Sequence, residues 1–466
     1  MRVLSVASEC VPLVKTGGLA DVAGALPAAL AGQGVEMRVL LPGYPAVMAA
    51  QAQARVLREI PDLFGGPARI LRGALGRGVL HVLDAPHLFD RPGGIYLGPD
   101  GRDWPDNPQR FAALCRAAAL IAAEGAGGWR PQVLHLHDWQ AGLTPVYLRE
   151  AGVADVRTLL TIHNIAFQGL APAHMLSTLR LPAGLFNPQG IEYWGRISAL
   201  KAGIVLADKV STVSPTYAEE LMTPEYGMGL EGVLADRAAD FTGILNGIDL
   251  DAWRPPYDAP AGKAPHRAAL RAELGLPEAE GPLCVVVSRL TGQKGLDLLI
   301  EALPALLRCG GQLAVLGTGD PDLEAALSRA AAGHPGVALR LGYDEALSRR
   351  MIAGGDAILV PSRFEPCGLT QLYGLRFGTL PLVALTGGLA DTVINASAAG
   401  LAAGVATGLQ FHPVDAAALA HALTRLCALW RQPAAWQRMM ANAMAYPVGW
   451  DASARAYAQL FRQMAG

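Results

Sequence analysis

The sequence predicts an α/β protein made of two Rossmann-like, doubly wound domains facing across a cleft. Three observations carry this expectation. The chain has 466 residues, too many for one ordinary core. Short β-rich runs alternate with Ala/Leu-rich helical stretches, the pattern of strand-loop-helix units around a parallel sheet. The alternation breaks in a stretch rich in Pro, Ala and Gly, 254–265, and then starts again.

The elements follow in order. Residues 3–7 read as the first strand, 15–18 as a loop, 20–33 as a helix and 38–41 as the next strand. Further strands are expected at 133–136 and 157–162, each ending in polar residues, and at 242–246, ending in the turn Asn246-Gly247. Beyond 254–265 the pattern resumes with a strand at 283–288, a helix at 296–307, a strand at 312–316 and a turn at 317–319. Strands at 337–341, 357–360 and 382–384 continue it. In such sheets ligands sit beyond the strand C-termini.

Composition narrows the function. Lys and Arg total 38 against 40 Asp and Glu, a net charge of −2, so nothing suggests a nucleic-acid partner. An anion site must come from locally placed cations and backbone amides. The six cysteines, Cys10, Cys115, Cys284, Cys309, Cys367 and Cys427, form no CxxC pair. Reduced thiols in a cytoplasm are therefore expected, with no metal. The apolar start, residues 1–7, is followed by Glu9 and Lys15 and reads as a buried strand rather than a signal peptide. The longest Ala/Leu run, 111–123, is interrupted by Arg116, so no membrane segment is expected.

Four polar sets lie where strands end. Lys15-Thr16-Gly17-Gly18 follows the first strand: glycines admit a phosphate, the next helix offers its amides, and lysine adds charge. An ordinary turn with a surface lysine fits the same residues. Ser288-Arg289-Leu290-Thr291-Gly292-Gln293-Lys294-Gly295 sets a planar guanidinium and a compact ammonium after a core strand, suited to a leaving diphosphate. Glu365-Pro366-Cys367-Gly368-Leu369-Thr370-Gln371 opens a helix with a carboxylate able to accept sugar hydroxyls and to face developing positive charge. His135-Leu136-His137-Asp138-Trp139 and Thr161-Ile162-His163-Asn164 complete the set. Asp138 and His163 fit a sugar-hydroxyl site better than a metal site, with a satisfied structural histidine the alternative for His163. Asp249-Leu250-Asp251 has the form of a metal-binding DxD but lies in a turn and reads as structural. Thr16-Gly17-Gly18-Leu19-Ala20-Asp21 recurs as Thr386-Gly387-Gly388-Leu389-Ala390-Asp391. The repeat is either chance or a pair of glycine loops, each offering helix N-terminal amides to an anion.

Taken together, Lys15–Asp21, His137-Asp138-Trp139, His163-Asn164, Asn246-Gly247-Ile248-Asp249, Arg289–Gly295, Glu365–Gln371 and Thr386–Asp391 resemble bacterial glycogen synthase and plant starch synthase, in order over nearly the whole chain. The resemblance implies the GT-B fold, ADP-glucose as donor, retention of anomeric configuration, an α-1,4-glucan acceptor and no required metal or other cofactor. It implies an N-terminal domain over 1–245 on the acceptor side, a donor domain over 246–445, and a C-terminal helix within 446–466 that crosses back to the first. It places Lys15, Gly18 and Asp21 at the donor, with Arg289 and Lys294 on its phosphates. Tyr343 would stack on adenine, although a core tyrosine fits as well. Glu365 and the amides of Cys367, Gly368, Leu369 and Thr370 would hold glucose, with Asp138, His163 and Asn246 lining the pocket. Glu365, Asp138 and His163 are the expected catalytic groups, and Tyr96 and Trp139 would meet the glucan or else pack the core. Where the wider GT-B group often has a second glutamate, this chain has Tyr373, and 93–106 carries extra Gly and Pro around Tyr96. A UDP-glucose-dependent transferase is the alternative. A nicotinamide oxidoreductase is disfavoured because GxGxxG is missing after the first strand. A non-catalytic glucan-binding protein would be expected to lose Lys15, Arg289 or Glu365, and all three are present.

Overall fold

The computed structural model describes all 466 residues as two compact units: Met1–Asn246 with Trp450–Gly466, and Gly247–Gly449. The first unit carries a nine-stranded sheet. From edge to edge its strands are Phe241–Gly243, Lys209–Thr212, Arg157–Ile162, Val133–His137, Arg2–Val6, Glu36–Pro42, Gly78–Asp84, Ala68–Leu75 and Arg55–Ile60. The first seven run parallel. Val3, Leu4 and Val6 are fully buried, as expected of a central parallel strand covered on both faces. The last two strands depart from the expected parallel sheet. Ala68–Leu75 pairs antiparallel with both Gly78–Asp84 and Arg55–Ile60. The reversal is made by Gly76-Arg77, between the paired residues Leu75 and Gly78, with Gly76 at φ +54°.

The second unit carries six parallel strands in the order Val337–Leu341, Gln312–Gly317, Leu283–Val287, Ala357–Val360, Leu380–Ala384, Leu409–Phe411. In each unit the chain passes once from one side of the unit's first strand to the other. The switch point lies between Arg2–Val6 and Val133–His137 in the first, and between Leu283–Val287 and Ala357–Val360 in the second. The loops leaving those paired strands flank a crevice at the sheet's carboxyl edge, where ligands of doubly wound sheets bind.

Two boundary expectations change. The segment 254–265 does not divide the chain; it lies inside the second unit. Tyr257 is buried there, with its hydroxyl 2.9 Å from the carbonyls of Ala353 and Phe377. The buried Lys263 ammonium donates to Tyr257, Thr379 and two carbonyls. Such anchors outweigh the loop-like composition around them. The actual crossing is at 246/247 and 449/450, where the Ile248 amide donates to the Val448 carbonyl at 2.9 Å. The strand expected at 242–246 stops at Gly243.

The helix Asp451–Ala465 packs on the first unit. Its buried face, Ala454, Tyr457, Ala458, Phe461 and Met464, has helical spacing and joins Val22, Leu26 and Leu30 of the helix Gly18–Ala31 in one apolar cluster. Ser453 donates to the Leu245 carbonyl and Arg462 to that of Gln33. No helix is long and apolar enough to cross a membrane.

Candidate active site

In the second unit the strand Leu283–Val287 runs into Ser288 and the exposed Arg289, whose side chain makes no hydrogen bond or ion pair. A short turn, Gly292–Lys294, ends at Gly295 with φ +66°. A Cβ on Gly295 would stand 1.9 Å from the Pro361 carbonyl oxygen, so only glycine lets this loop press on the one that follows Ala357–Val360. The two loops are laced further. The Arg363 guanidinium spans both oxygens of Asp297 at 2.7 and 2.5 Å, and the Arg363 amide donates to the Gln293 carbonyl.

That lacing brings Lys294 and Glu365 together across 71 residues of sequence, with Nζ 2.6 Å from Oε2. The Ser362 hydroxyl donates to the same oxygen at 2.9 Å, leaving Oε1 of this buried carboxylate without a protein partner. Beyond it, Gly368 sits at φ +71°, and the Gln371 amide nitrogen donates to the carbonyls of Cys367 and Gly368. Those bonds hold the chain so that the Gly368 and Leu369 amides donate to no protein group. Tyr343 stands beyond the end of the neighbouring strand Val337–Leu341 and is 80% exposed, which rules out the core-tyrosine alternative.

The second glycine loop does not offer its amides to an anion. The Gly388 amide donates to the carbonyls of Glu365 and Pro366. A Cβ on Gly387, at φ +44°, would lie 2.1 Å from the Glu365 carbonyl oxygen, and one on Gly388 would lie 2.2 Å from that of Cys367. These glycines admit backbone, and they hold the Glu365–Cys367 segment in place. Asp249 accepts the amides of Asp251 and Ala252 at 2.9 and 3.0 Å, a turn-making role for the DxD-like residues.

In the first unit the loop after Arg2–Val6 is organised by Glu9, a residue the sequence reading passed over. Its Oε2 accepts the Thr16 amide at 2.5 Å, the Thr16 hydroxyl at 2.9 Å and the Gly17 amide at 3.0 Å. Two amides of the expected anion loop are thus already engaged. Gly18, the first residue of its helix, lies beyond them. Lys15 is tied to Asp21, with Nζ 2.8 Å from Oδ1. Tyr96 directs its hydroxyl to Ser8 at 2.7 Å and to Glu9 at 3.3 Å. Its ring and that of Trp139 both pack on Phe111, at centroid distances of 5.9 and 4.9 Å. The signal for Glu9 was present: a carboxylate just past the first strand and just before glycines.

Across the same crevice Asp138, at φ +53° and buried, accepts the His163 amide at 2.6 Å and the Asn164 amide at 3.4 Å. Burial raises its carboxyl to about 7 despite those two donors. His163 Nε2 lies 2.9 Å from His137 Nδ1, and His137 Nε2 lies 2.9 Å from the Ser5 hydroxyl. His135 bonds Thr161 at 2.7 Å instead. These imidazoles form a hydrogen-bonded stack rather than a ligand set. Burial lowers His135 and His163 to about 3. Asn246 is buried too, with its Oδ1 unpartnered.

The buried imidazoles imply acid sensitivity. His81, His135 and His137 are fully buried, and burial depresses His81 to about 4, His135 to about 3 and His137 well below its usual value. Below pH ~6.5 the unfolded chain protonates these residues while the folded chain does not, so stability falls as pH falls. Asp138 acts oppositely, since between pH ~4 and about 7 the folded state keeps a proton that the unfolded state has lost. Four histidines, His163 included, against one carboxyl leave roughly three protons, or up to about 4 kcal/mol per pH unit. Urea unfolding at pH 7, 6 and 5 should show a midpoint that drops steadily from pH 6 to 5; a flat profile would contradict the burial of these groups.

Residues 2–236 match the family model described as starch synthase catalytic domain, and residues 281–428 match glycosyl transferases group 1. A protein named glycogen synthase from Paracoccus denitrificans (strain Pd 1222) is 88% identical over 464 residues, covering 100% of this chain and 99% of the relative. A glycogen synthase from Jannaschia sp. (strain CCS1) is 60% identical over 472 residues, covering 100% and 99%. The catalytic domain of starch synthase IV from Arabidopsis thaliana, solved with ADP and acarbose, superposes with a TM-score of 0.87 at 31% identity over 99% of each chain. Sucrose-phosphate synthase from Thermosynechococcus elongatus, at a TM-score of 0.62 and 20% identity over 99% and 98%, shares the fold alone.

Proposed function

Because this chain belongs to the glycogen and starch synthase family, glycosyltransferases of the GT-B fold, we propose that it transfers glucose from ADP-glucose to the non-reducing end of an α-1,4-glucan, with retention of configuration and release of ADP. One observation supports this most: an exposed, unpaired Arg289 on the same short loop as the Lys294–Glu365 pair, at the switch point of the second unit. A diphosphate needs cations that are not already neutralised, and Arg289 is one. Lys294 is bound to Glu365, and an arriving phosphate competes for it. That competition would free the carboxylate to accept glucose hydroxyls through both oxygens. Tyr343 offers an open ring for the adenine. ADP in the starch synthase IV crystal favours the same leaving group, and its acarbose favours an oligosaccharide acceptor.

As the bond to the diphosphate lengthens, Arg289 and Lys294 stabilise the departing charge, while Glu365 faces the oxocarbenium-like sugar. The acceptor 4-hydroxyl attacks from the face the diphosphate leaves and gives its proton to the departing phosphate oxygen. Lys15, the Gly18 amide, Asp138 and His163 of the first unit are assigned to the same reaction. With its imidazole uncharged, His163 is suited to hydrogen bonding with a sugar hydroxyl rather than to pairing with phosphate. In this reading the two cations neutralise the diphosphate, and no metal is assigned to the step. A cytoplasmic site of action is proposed with this acceptor.

The test is radiolabelled glucose incorporation into glycogen from ADP-glucose and from UDP-glucose, each with and without chelator. Transfer from ADP-glucose that is at least tenfold faster and indifferent to chelator is expected. Equal or faster transfer from UDP-glucose would favour the alternative donor. In the same assay Arg289→Ala should lose about 10²–10³-fold in kcat/KM. Its melting temperature should not change, because the side chain has no protein partner.

A further inference from the structure

The first unit also carries a small antiparallel sheet, Leu170–Pro172, Arg196–Ser198 and Glu192–Tyr193. At the tip of its hairpin stands Trp194, 81% exposed and at φ +48°. A left-handed backbone is unfavourable for a bulky residue, and an exposed indole forgoes burial. The left-handed backbone is set by the two-residue hairpin turn Trp194-Gly195, in which both residues have positive φ. The Gly195 amide donates to the Glu192 carboxylate at 2.5 Å, and the Tyr193 hydroxyl donates to the Met228 carbonyl at 2.6 Å. That same carbonyl accepts from the Gln168 side chain at 3.3 Å, so three segments meet there. Each presents an exposed large apolar group: Phe167 at 53%, Trp194 and Met228. The Phe167 amide in turn bonds the Asn164 carbonyl, which makes this patch continuous with the His163-Asn164 loop.

We propose that Trp194, with Phe167, is an aromatic platform that binds an α-1,4-glucan chain outside the reacting position. The inference rests on the functional reading above, which supplies a polymeric acceptor. A glucose unit has an apolar C–H face that stacks on an indole, and its hydroxyl rim suits the polar groups around the patch. An indole has only two side-chain torsions to fix, so it loses little freedom when a sugar covers it. Continuity with the His163 loop selects a glucan over an unrelated partner, since one long chain then reaches both places.

The test uses the full chain and its Trp194→Gly variant. Glycine relieves the left-handed backbone, so this variant should melt at the same or a higher temperature while losing the ring. Expected are a three- to tenfold loss of retardation in native gels containing glycogen and a similar rise in KM for glycogen. KM for ADP-glucose and kcat on maltotriose should be unchanged. Trp194→Phe should recover most of the retardation. Unchanged retardation and unchanged KM for glycogen in Trp194→Gly would overturn the proposal. So would a wild-type dimer that this substitution dissociates without altering glycogen retention. Gel retention needs no donor, so it still tests the platform if the wild type fails to transfer from ADP-glucose, a result that would count against the functional reading instead.

Discussion

Replacing Glu365 with alanine is expected to lower the initial rate of glucose transfer to glycogen by about 10²–10³-fold, the scale at which one preorganised electrostatic group acts on a transition state. The carboxylate is buried, receives Lys294 at 2.6 Å and Ser362 at 2.9 Å, and keeps one oxygen unclaimed by protein. Removing it also leaves the Lys294 ammonium, only 18% exposed, without its counter-charge, which should lower stability by about 1–3 kcal/mol. The two effects separate in the double variant with Lys294→Ala. Stability should return toward the parent value, because no unpaired charge remains, while transfer stays low. Near-normal turnover in Glu365→Ala would remove this residue from the catalytic groups.

Gly387→Ala is expected to act as strongly without touching any charged group. The added Cβ would meet the Glu365 carbonyl oxygen at 2.1 Å, at a residue whose φ of +44° already disfavours a side chain. Backbone strain and overpacking together should cost about 2–5 kcal/mol. The displaced segment carries both Glu365 and the unengaged amides of Gly368 and Leu369. Transfer should therefore fall at least 10²-fold even at temperatures where the variant is folded. Thermal unfolding and the glycogen assay on one preparation check both halves. A variant that melts normally and transfers normally would show that the loop tolerates movement.

Much of the fold was legible because parallel strands buried on both faces announce themselves as continuous apolar runs, as Leu283–Val287 does. The antiparallel ribbon over Arg55–Ile60, Ala68–Leu75 and Gly78–Asp84 was not, since its edge strand alternates irregularly and its turn is the short Gly76-Arg77. Site residues were legible as types at strand ends, but their pairings were not. Lys294 with Glu365 and Glu9 with the Thr16-Gly17 amides depend on which loops the strand order brings together. The repeated Thr-Gly-Gly looked like two anion loops. Only the close approach of backbone to Gly387 and Gly388 reveals that the second copy is a packing device, and no local pattern encodes which neighbour a glycine must admit.

The helix Asp451–Ala465 belongs to the unit that begins at Met1, with the whole of Gly247–Gly449 intervening. During synthesis the sheet of the first unit therefore emerges long before the helix that seals Val22, Leu26 and Leu30. The nascent chain must carry that open apolar seam while the second unit is translated. The seam stays uncovered until residues 450–466 emerge, which makes it a natural landing place for a chaperone.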